Sequence, residues 1–317
     1  MDKILNCKQI DELSAQDRQE YLDRLRRELL TNAPINTKSI TQNVLRFILP
    51  IIRNYDLCVE GAENIPRNSN CIFAMNHSNS HDFPTMQEVF IKLGISPCFI
   101  ASNEGLSPAV FKLFKECGAI FFNRFDKAEA KNALMTMTSN MVNGRYGAIF
   151  PESTWNLHPY KPMHLVKIGA VYSSAIADVP IIPVIFEYIE TEELCKRESE
   201  LFRKCVVTFG KPLIVKKHIE LLKQTEILQS EMEQLRRIVW DKYKIKKSNF
   251  NKEDILRYLN HTYLKKYGGL AQYDSIREGK ILLVKDQLSA ENDYHLDNNG
   301  LFVPGNLSKE EGKKYIN

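Results

Sequence analysis

Hydrophobic positions along this chain change their spacing from region to region. Between residues 9 and 31, Ile10, Leu13, Tyr21, Leu22, Leu25, Leu29 and Leu30 make one face of a charge-rich segment at helical period. The stretch Asn32–Lys38, with Pro34 inside it, breaks that period, and a second helix is predicted up to about Asn54. A helical hairpin or pair over residues 1–55 is therefore expected ahead of the main domain. From Leu57 to about Val215 short apolar runs alternate with longer ones. Leu57–Glu60, Ile72–Met75, Cys98–Ala101, Ala119–Asn123, Gly147–Phe150, Ile181–Glu187 and Cys205–Phe209 read as strands, and Thr85–Leu93, Pro108–Lys115 and Lys127–Asn143 as helices between them. That alternation predicts an α/β domain over residues 56–215, a mostly parallel sheet flanked by helices. Beyond it the helical period returns. Ile219 to Tyr243 carries Leu221, Leu222, Leu228, Met232, Leu235 and Val239 on one side, and Lys252 to Lys266 ends at Gly268-Gly269. Residues 216–317 are thus expected to be a helical extension with a polar, turn-rich tail whose composition predicts partial disorder.

Composition narrows the class. Of the 317 residues, 44% are apolar and 26% charged, the balance of a folded globular chain. A net charge of +4 is too small to argue for nucleic acid as a partner, and suits an anionic membrane surface or acidic substrates equally well. The seven cysteines are scattered singly with no C-x-x-C pair, which predicts reduced thiols in a cytosolic protein rather than a disulfide framework or a zinc ribbon. The N-terminus lacks the apolar core of a signal peptide, and no apolar run reaches the roughly 18 residues that span a bilayer. The nearest, Val44–Ile52, is short and carries Arg46 and Pro50. It can pack on the core, or lie in a membrane interface with Arg46 and Arg53 reaching for headgroups.

Candidate chemistry centres on His77-Ser78-Asn79-Ser80-His81-Asp82. His77 follows a predicted strand and Asp82 opens a predicted helix, a loop position where α/β proteins place chemistry. The gap of five residues lets a turn fold the carboxylate back onto the imidazole. A carboxylate on one ring nitrogen fixes the tautomer and leaves the other able to take a proton from a hydroxyl. Taken alone, the pair reads as a surface hydrogen bond with Asp82 as a helix cap.

Three further segments change that balance. Gly118–Arg124 reads as a strand delivering Arg124, whose guanidinium suits phosphate or carboxylate and could otherwise pair with Asp126. Ile149-Phe150-Pro151-Glu152-Ser153-Thr154 ends a strand in a turn that presents a carboxylate and two hydroxyls, suited to a polyol or to capping backbone amides. Val179-Pro180-Ile181-Ile182-Pro183-Val184 brackets a buried strand with prolines and predicts an edge strand or a first-strand position for them.

Together these segments resemble the glycerolipid acyltransferases of the lysophosphatidic acid acyltransferase group. The family carries, in order, an Asn-His with an Asp five residues after the His, a Gly-x-Ile-Phe block ending in Arg, a Phe-Pro-Glu-Gly-Thr block and a Val-Pro-Ile-x-Pro-Val block. All four stand here between Asn76 and Val184. The resemblance implies that His77 is the general base of an O-acyltransferase and that Asp82 orients it. It implies that Arg124 holds the acceptor's phosphate, that Glu152, Ser153 and Thr154 shape the acceptor site, and that Lys167 fills a basic position before Gly-Ala. The donor would be an acyl thioester, acyl-CoA or acyl-carrier protein, with no further cofactor, no metal and no covalent acyl-enzyme. The acceptor would be a lysophospholipid or another hydroxyl compound, and the protein would sit in the cytoplasm, peripheral at the inner face of the membrane. Two departures stand out. Ser153 replaces the usual Gly, and Trp155 stands where an Arg is frequent. The second removes a cation that would favour a doubly charged phosphate, and an aromatic there can stack on apolar or sugar-like groups.

Two other classes compete. His77 and His81, four residues apart, with His158 and His164 could bind zinc in a hydrolase, although Pro84 places the helix start after the histidine pair. A non-catalytic lipid or acyl-carrier binding protein could use the same fold. A Gly-x-Ser-x-Gly nucleophile elbow does not occur in the sequence.

Overall fold

The chain begins with three helices, α1 (Cys7–Asp11), α2 (Ala15–Leu29) and α3 (Ser39–Ile52). Strands and helices then alternate through β1 (Asp56–Glu60), β2 (Ile72–Met75), α4 (Asp82–Lys92), β3 (Cys98–Ser102), α5 (Pro108–Glu116), β4 (Ala119–Phe122), α6 (Lys127–Val142), β5 (Gly147–Ile149), α7 (Gly169–Ala177), β6 (Ile181–Glu190) and β7 (Phe202–Phe209). The long helix α8 (Leu221–Lys242) and two short strands, β8 (Tyr294–Leu296) and β9 (Phe302–Pro304), complete the order. These elements are those of a computed structural model that describes residues 4–30, 39–78, 81–103, 106–123, 126–153, 156, 162–190, 202–245, 294–296 and 302–304. The helix expected over Lys252 to Lys266 lies outside the described residues.

Seven strands form one sheet in the order β1-β7-β6-β2-β5-β3-β4. Every neighbouring pair is parallel except β6 with β7. The fold is therefore the expected α/β layer with a mostly parallel sheet. All seven strands read from the apolar runs are present. Strands buried on both faces read as continuous apolar stretches, and β2 shows why. Ile72 and Ala74 enter one core with α2, α6, α7 and α8, whereas Cys71, Phe73 and Met75 enter the other with α3 and α4. Helices α2 and α3 consequently serve opposite faces of the sheet, α2 against α6 and α7, α3 against α4.

The proline-bracketed strand is not at an edge. β6 lies between β2 and β7, with Pro183 inside it. Pro183 is tolerated because its carbonyl accepts from Gly210 at 2.8 Å, so its nitrogen faces β7 just before that ladder begins at Val184 and Phe209. The missing N–H falls in a gap between that ladder and the Ile181–Leu213 bridge. Helix α7, which the sequence pattern did not pick out, is buried on all sides and has no polar face to give it a helical period.

Candidate active site

The site is built at the carboxyl ends of adjacent parallel strands. β2 and β5 pair in register, so the residues that follow them, Asn76-His77 and Phe150-Pro151-Glu152, emerge side by side. On the other flank of β2, the buried Asn76 extends the sheet with its side chain. Its Oδ1 accepts from the Phe186 amide at 2.6 Å and its Nδ2 donates to the Phe186 carbonyl at 3.0 Å. The chain is thus held rigidly up to the residue before the histidine.

His77 and Asp82 meet as the spacing predicts. Nδ1 of His77 lies 2.7 Å from Oδ2 of Asp82, and the same oxygen accepts from the Ser78 amide at 2.6 Å. Asp82 is fully buried in the first turn of α4, where the positive end of the helix dipole favours a carboxylate. The His77 side chain keeps 26% of its surface exposed, and its ring stacks on Phe150 at 4.3 Å between centroids. Nδ1 is thereby committed to the acid, and Nε2 is the ring nitrogen turned away from it. His81, by contrast, precedes α4 and packs against Tyr55 and Tyr188. His77 lies outside the helix altogether, so the two histidines do not share a helical face. Among the described residues no group of three His, Cys, Asp or Glu side chains is placed to hold a metal ion.

Glu152 supports the backbone that carries His77. It is buried, and each carboxylate oxygen takes one amide: Oε1 from His77 at 2.8 Å and Oε2 from His164 at 2.6 Å. The His77 carbonyl is held in turn by the Asn156 amide at 2.6 Å. Burial pushes the Glu152 carboxyl up to about 7, and the nearby charge of Asp82 adds to this, while the two amides and the Arg236 guanidinium pull it back. The side chain read as part of the acceptor surface therefore points inward, as a brace.

Ser153 adopts φ 61°, a left-handed conformation that favours glycine, so this turn keeps a glycine-type backbone although the residue has changed. Lys167 has an exposed side chain, and its amide donates to the Pro151 carbonyl at 2.8 Å, closing the segment after the turn. Arg124, Thr154, Trp155 and His158 lie outside the described residues. The strand leading to Arg124, β4, occupies the far edge of the sheet. Three inter-strand steps from β2 place its end roughly 14 Å away. Sequence reasoning missed the support around His77: the His164 amide on Glu152, the Asn156 amide on the His77 carbonyl and the ring of Phe150. Only Phe150 had a visible signal, since it stands inside the block that carries Glu152.

Residues 56–187 match the model of the Acyltransferase family. The matched segment makes up most of the α/β domain. The match runs from the start of β1 into β6 and contains His77, Asp82 and Glu152, so the buried acid–imidazole pair lies within the matched segment. The crystal structure of the 1-acyl-sn-glycerophosphate (LPA) acyltransferase PlsC from Thermotoga maritima is similar in fold, with a TM-score of 0.48 and 19% sequence identity over 74% of this chain and 86% of that one. No curated protein sequence matches the chain.

Proposed function

We propose that this acyltransferase domain moves a fatty acyl group from a thioester, acyl-CoA or acyl-carrier protein, to a hydroxyl of a lysophospholipid such as lysophosphatidic acid. The observation that carries the reading is the His77–Asp82 pair, 2.7 Å apart, its acid buried and its imidazole partly exposed. Nε2 of His77 takes the hydroxyl proton as the acceptor oxygen attacks the thioester carbonyl. The carbon–sulfur bond breaks, the proton passes from the imidazolium to the departing thiolate, and an ester and a free thiol result. The thioester is already activated, so positioning and removal of one proton suffice; general base catalysis contributes about 10²–10⁴-fold. Arg124 is assigned to the acceptor's phosphate, Ser153 and Thr154 to the shape of the acceptor site, and Lys167 to the basic position before Gly-Ala. Incubation with labelled acyl-CoA and a panel of lysolipids, with product identification, tests this. Transfer should be lost in His77→Ala with the fold retained, and unchanged turnover in that variant would remove the mechanism.

The membrane reading has support in α3. Leu45 and Leu49 face the core, but Ile40, Phe47, Ile51 and Ile52 are 76%, 71%, 79% and 61% exposed. An amphipathic helix that is apolar on its outer side suits a peripheral position at the inner face of a membrane, where a lysolipid resides. Arg46 is exposed at its side, whereas Arg53 is engaged by Glu88 at 3.1 Å and is not available to headgroups. Among the described residues no helix is long and apolar enough to cross a membrane. Co-sedimentation with anionic phospholipid vesicles should fall at least about tenfold in the Phe47→Glu, Ile51→Glu double variant, given the apolar area removed from contact; undiminished binding would refute this surface.

A further inference from the structure

Helix α8 lies beyond the segment matched by the family, yet it carries a buried arginine aimed at the site. Nε of Arg236 donates to Oε2 of Glu187 on β6 at 2.7 Å, and Nη1 donates to the Pro162 carbonyl at 2.7 Å. Its guanidinium also lies 5.3 Å from the centroid of the Trp240 ring one turn along. Both members of the ion pair are buried. A buried pair of this kind is weak grounds for stability, since apolar residues of similar volume serve as well. What apolar residues cannot do is fix a backbone carbonyl with a planar fork.

The carbonyl in question matters. Pro162 is two residues before His164, whose amide occupies Oε2 of Glu152, and Oε1 of the same carboxylate holds the His77 amide. A continuous path therefore runs from α8 through the Pro162–His164 segment and Glu152 to the backbone of the base. We propose that Arg236 is a positioning residue of the acyl-transfer site, fixing the Pro162–His164 segment so that Glu152 holds the His77 loop in its working place. This assignment rests on the reading of His77 as the base. It gives the C-terminal extension a part in the reaction without any contact to substrate.

The test compares Arg236→Lys and the double variant Glu187→Met, Arg236→Met with the parent protein in three measurements: kcat and KM for acyl transfer, the melting temperature, and hydrogen exchange of peptides containing His77 and His164. Displacement of a catalytic group by about 1 Å can cost about 10²-fold. The double variant should keep its fold and its KM, lose about 10- to 100-fold in kcat, and exchange faster in both peptides. Parental kcat and parental exchange in the folded double variant would overturn the assignment. Should that variant fail to fold, Arg236→Lys decides, because it keeps the charge and loses the fork. A fall in kcat at unchanged KM with faster exchange supports the proposal, and parental values of both refute it. An inactive parent would instead refute the acyl-transfer reading, and the exchange measurement would still decide whether Arg236 holds the loop.

Discussion

The start of α4 and the turn after β5 each bury a carboxylate at the carboxyl ends of the central strands, and they govern one histidine by different routes. Asp82 touches the ring of His77 and sits in the first turn of a helix, where the backbone dipole favours its charge. Glu152 touches only backbone, gripping the amides of His77 and His164 in surroundings that disfavour its charge. In the proposed mechanism one carboxylate sets which proton the imidazole can move, and the other sets where the imidazole stands. A site that must abstract a proton needs both, and the two demands make different environments tolerable. An acid that polarises a ring must stay charged throughout turnover, whereas an acid that holds two amides tolerates a raised pKa as long as it accepts both bonds.

Removing charge at each position separates the two roles. Asp82→Asn keeps shape but offers the ring nitrogen either a wrong donor or a weaker acceptor, so the imidazole loses its enforced tautomer. Turnover should fall by about 10²–10⁴-fold with little change in KM, measured with labelled acyl-CoA and the best acceptor of the panel. Glu152→Gln retains one acceptor oxygen and turns an NH₂ group toward the second amide. One buried amide is then unsatisfied, which costs about 1–3 kcal/mol. Denaturant unfolding should show that loss, and kcat should fall less than in Asp82→Asn. An Asp82→Asn variant with parental turnover, or a Glu152→Gln variant of parental stability, would erase the distinction.

The comparison is sharpened by pH. The Glu152 carboxyl stands at about 7 in the folded chain against an ordinary value of 4.5. A raised folded-state value means that the folded state binds this proton more tightly than the unfolded state does. The associated stabilisation is complete below pH 4.5 and is lost as pH rises through about 7. The stability of the parent relative to Glu152→Gln should therefore decline across that window, as followed by denaturant titration at several pH values. A flat difference would mean that burial is offset more fully by the two amides and by Arg236 than the raised value implies.

Much of this arrangement could be read from the residues, and the gaps have physical causes. The strands were legible because parallel strands covered on both faces are continuous apolar runs, as in Cys71–Met75. His77 and Asp82 were legible because their contact spans only five residues, within reach of a single turn. Helix α7 was hidden by burial on every side, which erases the polar stripe that reveals a helix. The inward turn of Glu152 was hidden because its partners, 75 and 12 residues away, are backbone amides, which leave no mark on sequence. Arg236 was hidden for the same reason: its contacts cross 49 and 74 residues, and on α8 it reads as one more charge on an amphipathic helix. Local chemistry could be inferred, but support assembled from distant segments could not.

The smallest effect concerns the residue beside the brace. Ser153 holds φ 61°, where an L side chain costs about 1–2 kcal/mol relative to right-handed backbone. Glycine removes that strain but returns about 0.5–1 kcal/mol of freedom to the unfolded chain. Ser153→Gly should therefore raise stability by up to about 1.5 kcal/mol and leave Glu152 in place, whereas a β-branched residue such as Val should destabilise the turn. Thermal or denaturant unfolding of the pair decides the strain argument. Turnover of Ser153→Gly tests a separate point. A change in acceptor preference in a variant of parental or higher stability would show that the hydroxyl, and not the backbone it strains, is what this chain uses in place of the family's glycine.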